Sequence, residues 1–368
     1  MENDKESTGI RYKRVKERIN QRTWDPRKLE NSPLTIEILE YADKKFLPVV
    51  AIILLLKSLV MVSCKLEWPR AGVLDVAPPR QLKSYTSREA MKIFDKKFWL
   101  DVHSDFTMHS LEKYKDIIKD GVCLLVNDGT ELLSSKAKRT KDRLIGGLSE
   151  LFSDAKYVYQ DFRGKVVDLE GWVTLILNIT SESFKNYKDR MLGLTFLERV
   201  LTVHHVLSKQ ESETWIEKEQ RTMNVTFNRT ITMDDIETNI QEIPSHYLKL
   251  IKIQAREFSH LSMRSFVGCQ DIIKALVRAH AALNKRKGLC TDDFYIVSLI
   301  KPYLTNPFSP YEGQIVKLRA QGFSYRDIQN AIGKPNYLRQ IQRVVKRAQI
   351  RGVLPLETKL DQIMKNER

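Results

Sequence analysis

Residues 71–84 read AGVLDVAPPRQLKS. An apolar run from Ala71 to Ala77, broken only by Asp75, gives way to a Pro-Pro turn and then to Lys83-Ser84 at the head of a helical pattern. Flat hydrophobicity over so short a run predicts a strand covered on both faces, since a half-solvated strand alternates apolar with polar residues. Two similar runs follow, GVCLLVND from Gly121 to Asp128 and GWVTLILNIT from Gly171 to Thr180, with helical patterns between them. That alternation predicts an α/β fold with a parallel sheet over residues 34–207.

The ends of these runs carry the chemistry. A phosphate-binding loop needs glycines that let backbone N–H groups curl round the phosphates, a Lys for the β/γ oxygens and a Ser/Thr hydroxyl for Mg²⁺. The stretch Ala77, Pro78, Pro79, Arg80, Gln81, Leu82, Lys83, Ser84 keeps the frame GxxxxGK[ST], with Ala77 at the first glycine position and Leu82 at the second. Asp128 closes the second run where a carboxylate holds Mg²⁺ through water. Asn178 places an amide near the end of the third run. Arg199 follows that run by about twenty residues, after Phe196-Leu197-Glu198.

In order and spacing these segments resemble the core of the AAA+ P-loop ATPases. The resemblance implies a Walker A loop at Ala77–Ser84, a Walker B Asp128, a sensor-1 Asn178 and an Arg199 that reaches a neighbouring subunit's nucleotide. It also implies ATP and Mg²⁺ as ligands, with Ser84 and Asp128 on the metal. Residues 243–304, helical throughout, resemble the AAA+ lid. Arg264 stands at the sensor-2 place, and Ala279–Asp293 resembles a turn of the minichromosome-maintenance-like branch, with Thr291 expected to cap the next helix. Two departures bear on hydrolysis: both loop glycines are replaced, which narrows the backbone angles open to the loop, and Gly129 stands where the Walker B glutamate is usual.

Residues 305–368 read as helix, short helix, tight turn and basic helix, then an extended close. That is the helix-turn-helix order with a winged ending. Gly322 is expected to end the first helix and Ser324 to cap the second. In the third, Leu338, Ile341, Val344 and Val345 are expected to pack inward. Arg339, Arg343, Lys346 and Arg347 are left for phosphates and base edges of duplex DNA.

Composition agrees with this division. The 368 residues are 42% hydrophobic and 29% charged, which predicts more than one domain and argues against a disordered chain or a multi-span membrane protein. Against 61 Lys+Arg stand 46 Asp+Glu, and a formal charge of +15 favours a polyanionic partner, nucleic acid before anionic membrane. The one membrane-like run, Phe46–Cys64, is interrupted by Lys57 and Ser58, costly in lipid, so a buried core helix is expected. Four dispersed cysteines without CxxC predict a reduced, intracellular chain with no structural zinc or disulfide framework, and the charged start MENDKESTG is not a signal-peptide pattern. Residues 1–33 are expected to form a basic arm and 208–242 a polar connector with a short strand or hairpin at MNVTFNRTIT.

The resemblance implies a homo-oligomeric, DNA-binding ATPase of DNA replication, like origin-recognition initiators and minichromosome-maintenance helicases, acting in the cytoplasm or on the nucleoid. A DNA-binding or scaffold protein that kept the AAA+ fold and lost hydrolysis is the alternative, and the altered loop is its main support.

Overall fold

The computed structural model describes residues 23–103, 106–133, 138–160, 164, 166–193, 198–205, 207, 209–222, 224–262, 264–304, 315, 318–319, 322–331 and 337–350. Helix α1 (Pro33–Lys45) opens on a proline, which loses nothing at a first turn whose N–H groups have no partner within the helix. Two of those groups, on Leu34 and Thr35, donate instead to Asn284 Oδ1 at 3.1 and 3.2 Å. Helix α2 (Pro48–Ser63) is the membrane-like run, and every residue from Val50 to Ser63 is buried. Full burial of a Leu, Ile or Val contributes about 1.5–3 kcal/mol, so this helix is a main source of core stability. No helix among the described residues is long and apolar enough to cross a membrane.

The sheet follows from the apolar runs. Strands β1 (Gly72–Ala77), β2 (Trp99–Val102) and β3 (Val122–Val126) alternate with helices that include α3 (Lys83–Ile93). After helix α4 (Lys138–Ser153), β4 (Lys156–Gln160) and β5 (Val166–Glu170) pair as an antiparallel ribbon of their own. Strand β6 (Val173–Thr180), helix α5 (Ser181–Gly193) and strand β7 (Val200–His204) complete the α/β region. The five-stranded sheet is parallel throughout, in the order β2-β3-β6-β1-β7. Strand β6 therefore lies between β1 and β3, which brings the ends of the three expected runs side by side.

Helices cover both faces of the sheet. Val73, Cys123, Leu125, Ile176 and Leu201 join α1, α2 and the later helices α7 (Ser245–Ser262), α8 (Phe266–Leu283) and α9 (Thr291–Ile300) in one cluster. Their neighbours Leu74, Leu124, Leu175 and Val200 face the other way and pack with α4 and Phe184. Residues 243–304 thus share a continuous core with the α/β region.

Several expectations are corrected. The stretch 208–242 contains helix α6 (Lys209–Thr222), polar except for its anchors; Trp215 stacks on Phe46 with ring centroids 5.5 Å apart. MNVTFNRTIT forms no hairpin among the described residues, and only Ile231 bridges to Phe94. The arm's described end is docked: Trp24 and Leu29 are buried, and Asp292 accepts from Asn31 N and Ser32 Oγ at 2.9 Å each. The remainder, 1–22, lies outside the described residues. The cap of α9 is Cys290 rather than Thr291, because Asp293 turns back to accept the Cys290 N–H at 2.7 Å.

In the C-terminal segment, α10 (Tyr325–Ala331) and α11 (Leu338–Ile350) pack with Ile315 around Ile328, Ile341, Val344 and Val345. Gly322 adopts φ +89° and its N–H donates to Arg319 O at 3.0 Å, ending the preceding turn as expected. Ser324 Oγ accepts from Asp327 N at 3.1 Å, the expected cap. Leu338 does not pack inward: as the first residue of α11 it is 39% exposed. The extended close, 351–368, lies outside the described residues.

Candidate nucleotide-binding site

The site is built on three neighbouring strand ends. Beyond β1, the loop turns into α3 at Leu82, whose φ of +63° and ψ of 6° place it in the left-handed region. Arg80 also has a positive φ, +61°. These are the angles glycine reaches without cost, whereas an L side chain carries about 1 kcal/mol of strain there. Leu82 therefore takes, without being glycine, a backbone conformation that glycine favours. No side chain among the described residues caps α3, so its first N–H groups and helix dipole face the loop mouth, an arrangement suited to an anion. Pro78 and Pro79 contribute no N–H donors, leaving Arg80, Gln81, Leu82, Lys83 and Ser84 to supply them.

Lys83 spans the loop. Its Nζ donates to the carbonyls of Ala77 and Pro78, at 2.8 Å each. Burial pushes its pKa down, with Asp75 opposing and Lys57 reinforcing that shift. An incoming phosphate must draw this ammonium off two carbonyl oxygens. Ser84 Oγ donates to Asn127 O at 3.2 Å and so ties the start of α3 to the end of β3. Asp128 is exposed, and its Oδ1 accepts the Thr130 N–H at 2.9 Å. Asn178 is buried; its Nδ2 donates to Ser87 Oγ at 2.9 Å and contacts Asn127 Oδ1 at 3.4 Å.

Beneath the loop lies a buried polar cluster that sequence reasoning missed. Lys57, fully buried in the middle of α2, sits 2.6 Å from Asp75 Oδ2. Its Nζ also donates to Lys83 O at 2.9 Å, Thr86 Oγ1 at 2.8 Å, Ser87 Oγ at 3.0 Å and Asn178 Oδ1 at 3.1 Å. On the other side of Asp75, His205 Nδ1 lies 3.2 Å from Oδ1, and Nε2 lies 2.7 Å from the Gln81 carbonyl, to which it donates. Burial raises the Asp75 pKa, but Lys57 and His205 outweigh it and hold the carboxyl below its usual range. Burial pushes Lys57 down, and Asp75 pulls it back. Gln81 Oε1 accepts Leu207 N at 2.6 Å, pinning the loop's tip to the end of β7. The sequence does hold a signal for this cluster: one Lys in an apolar helix and one Asp in an apolar strand are each too costly to bury alone.

Gly129 has a packing reason to be glycine. A Cβ there would stand 2.4 Å from Leu177 Cδ1 and 3.2 Å from Asn178 O. The residue after Asp128 thus sits against β6, and a glutamate at that position needs Leu177 to move.

Lys83, Ser84, Asp128 and Asn178 are brought together, with Ala77, Pro78 and Pro79 forming the loop beside them. Arg199 and Arg264 are not. Arg199 precedes β7, at the opposite end of the strands from the loop, and its Nη2 donates to Ser153 Oγ at 3.3 Å. Arg264 is buried against the same strand, Nη2 to Thr202 Oγ1 at 2.7 Å. On α11, Arg339, Arg343 and Lys346 are exposed opposite Ile341, Val344 and Val345; the side chain of Arg347 lies outside the described residues. Among the described residues no group of three or more His/Cys/Asp/Glu side chains could hold a metal ion.

No protein-family model matches the chain, and no curated protein matches its sequence.

Proposed function

We propose that this chain is an AAA+-type protein that binds ATP·Mg²⁺ at the β1–α3 loop and duplex DNA through α11, and that it serves DNA replication as an ATP-assembled scaffold with slow turnover. The observation that carries the reading is the insertion of β6 between β1 and β3, which sets Lys83 and Ser84 beside Asn178 and Asp128. The donor set suits the ligand: Lys83 and the uncapped start of α3 meet phosphate oxygens, while Ser84 and Asp128 hold the metal. Bound Mg²⁺ neutralises phosphate charge and orients the γ-phosphate. Asn178, fixed by Ser87 and Lys57, has its amide direction set before any ligand arrives.

Slow turnover follows from the water side. Asp128 would help hold the metal, but with Gly129 at the next position no carboxylate directly follows it to act as a base toward water. A faster ATPase is the second reading, favoured by the exposed Asp128 carboxylate.

For DNA, α11 is the third helix of a winged helix-turn-helix in this reading, and 305–368 is the DNA-binding unit. Arg339, Arg343 and Lys346 fall on one exposed side of α11 and offer phosphate and guanine contacts. In this reading Arg199, remote from its own chain's loop, leaves Ser153 Oγ to serve the loop of a neighbouring copy in a homo-oligomer. Sedimentation with ATP, Mg²⁺ and duplex DNA tests the assembly: oligomers that need both ligands support the proposal, and a strict monomer under all conditions contradicts it.

A further inference from the structure

A cavity lies at the N-terminal ends of the strands, the opposite end from the loop. Arg70 precedes β1, Glu198 and Arg199 precede β7, and Trp172 precedes β6. These strands are parallel neighbours, so all four residues gather at one end of the sheet, where the N-terminus of the 18-residue helix α8 arrives. A cavity of about 240 Å³ there is lined by residues that include Arg70, Arg199, Phe152, Trp68, Val267 and Ile272.

Among the described residues, the cations in this cavity lack anionic partners. Arg70 is 2% exposed, and none of its three guanidinium nitrogens has a hydrogen-bond partner there. The guanidinium lies 3.6 Å over the Trp172 ring, which fixes its plane; its nitrogens are closed to solvent, so a ligand's carboxylate must part the lining to reach them. Arg199 Nε is likewise buried without a partner. Of the carboxylates nearby, Glu67 acts on Arg70 by charge without forming an ion pair with it, Glu198 Oε2 accepts from Ser265 Oγ at 2.5 Å and from Ser265 N at 3.3 Å, and Asp271 pairs with Lys274 at 3.5 Å. A buried charge without a counter-group costs several kcal/mol, and a guanidinium fork matches a planar oxyanion in two-point contact.

We propose that this cavity is a binding site for a small organic carboxylate, its carboxyl group held by Arg70 and its apolar body lying against Phe152, Val267 and Ile272. Size and charge select this class. The volume is below the roughly 300–1,000 Å³ of sites for drug-sized molecules. Apolar walls favour an organic body over a fully hydrated ion, and Glu198 and Asp271 on the lining disfavour a dianion. Burial pushes Arg70 down to about 10, so it remains cationic at neutral pH. The site shares no side chain with the β1–α3 loop of its own chain, so ATP binding by a single chain is read apart from it; Arg199 is common to this site and the proposed contact between copies.

The test titrates full-length protein at pH 7 with benzoate, benzyl alcohol and inorganic phosphate, reading heat and thermal midpoint. Benzoate is expected to bind saturably and raise the midpoint, with benzyl alcohol and phosphate much weaker. Arg70→Met should weaken benzoate at least tenfold while leaving ATP affinity unchanged. If Arg70→Met does not fold, Arg199→Met serves as the second variant, with a smaller weakening expected. No saturable benzoate binding by the wild type overturns the proposal. So does equal binding of benzyl alcohol, tighter binding of phosphate, or variants that bind benzoate as the wild type does.

Discussion

Lys57 on α2 and Asp75 on β1 form an ion pair of 2.6 Å with neither side chain exposed, and the same ammonium accounts for the Asn178 and Lys83 carbonyl oxygens above it. The pair joins the core helix, the central strand and the floor of the loop. Removing one member leaves the other buried without its counter-charge, Asp75 with only His205 Nδ1 at 3.2 Å and Lys57 with only neutral oxygens.

Lys57→Met is therefore expected to destabilise the protein by about 3–5 kcal/mol, the range for breaking a buried pair from one side. Lys57→Met with Asp75→Leu should recover much of that loss, because the double variant buries no charge. Denaturant unfolding of the wild type, both single variants and the double variant measures the coupling; a double variant that loses the sum of the two single losses would show that the pair does not interact.

Acid should weaken this ion pair. The folded-state pKa of Asp75 lies below its ordinary 3.8, so its contribution is complete above that value and declines as pH falls through the folded pKa. The stability gap between wild type and Asp75→Asn should narrow below about pH 3.8. A gap that widens with acid contradicts the assigned direction.

Leu82→Gly should stabilise the chain by up to about 1 kcal/mol, since φ +63° is strained for leucine and free for glycine, less the cost of glycine's greater unfolded-state entropy. Thermal unfolding reads the sign. A clear loss of stability would mean that the Leu82 side chain, which packs on the core cluster, outweighs its backbone strain.

The central strands are legible from the apolar runs, and the loop, Asp128 and Asn178 are placed by their position at the run ends. The sheet order is not, because nothing in the residues says which strand lies beside which until β6 inserts between β1 and β3. Helix α6 escapes a reading by pattern because its polar face outweighs Trp215 and few other anchors in any average over the stretch. Lys57 reads as an interruption of an apolar helix; its partner Asp75 is eighteen residues away, and only the packing of α2 on β1 brings them together. Arg264 matches a sensor position by order along the chain, yet it is buried against β7, its Nη2 on Thr202 Oγ1, away from the loop.

On the DNA side, Arg343→Ala with Lys346→Ala should weaken duplex binding and reduce the slope of log K against log salt by about 0.9 for each phosphate no longer neutralised. Both side chains are exposed, so the thermal midpoint should barely move. Unchanged affinity and slope would move DNA binding away from α11, the basic run of residues 11–22 being the next candidate.

The most direct test of the account is a calorimetric titration of the wild type and Lys83→Ala with ATP and Mg²⁺. The wild type should bind one ATP per chain, Lys83→Ala should show no binding heat, and Asp128→Ala should still bind ATP while losing what little Mg²⁺-dependent turnover the wild type has. A wild type that gives no ATP signal, or a Lys83→Ala variant that binds as tightly as the wild type, would contradict it.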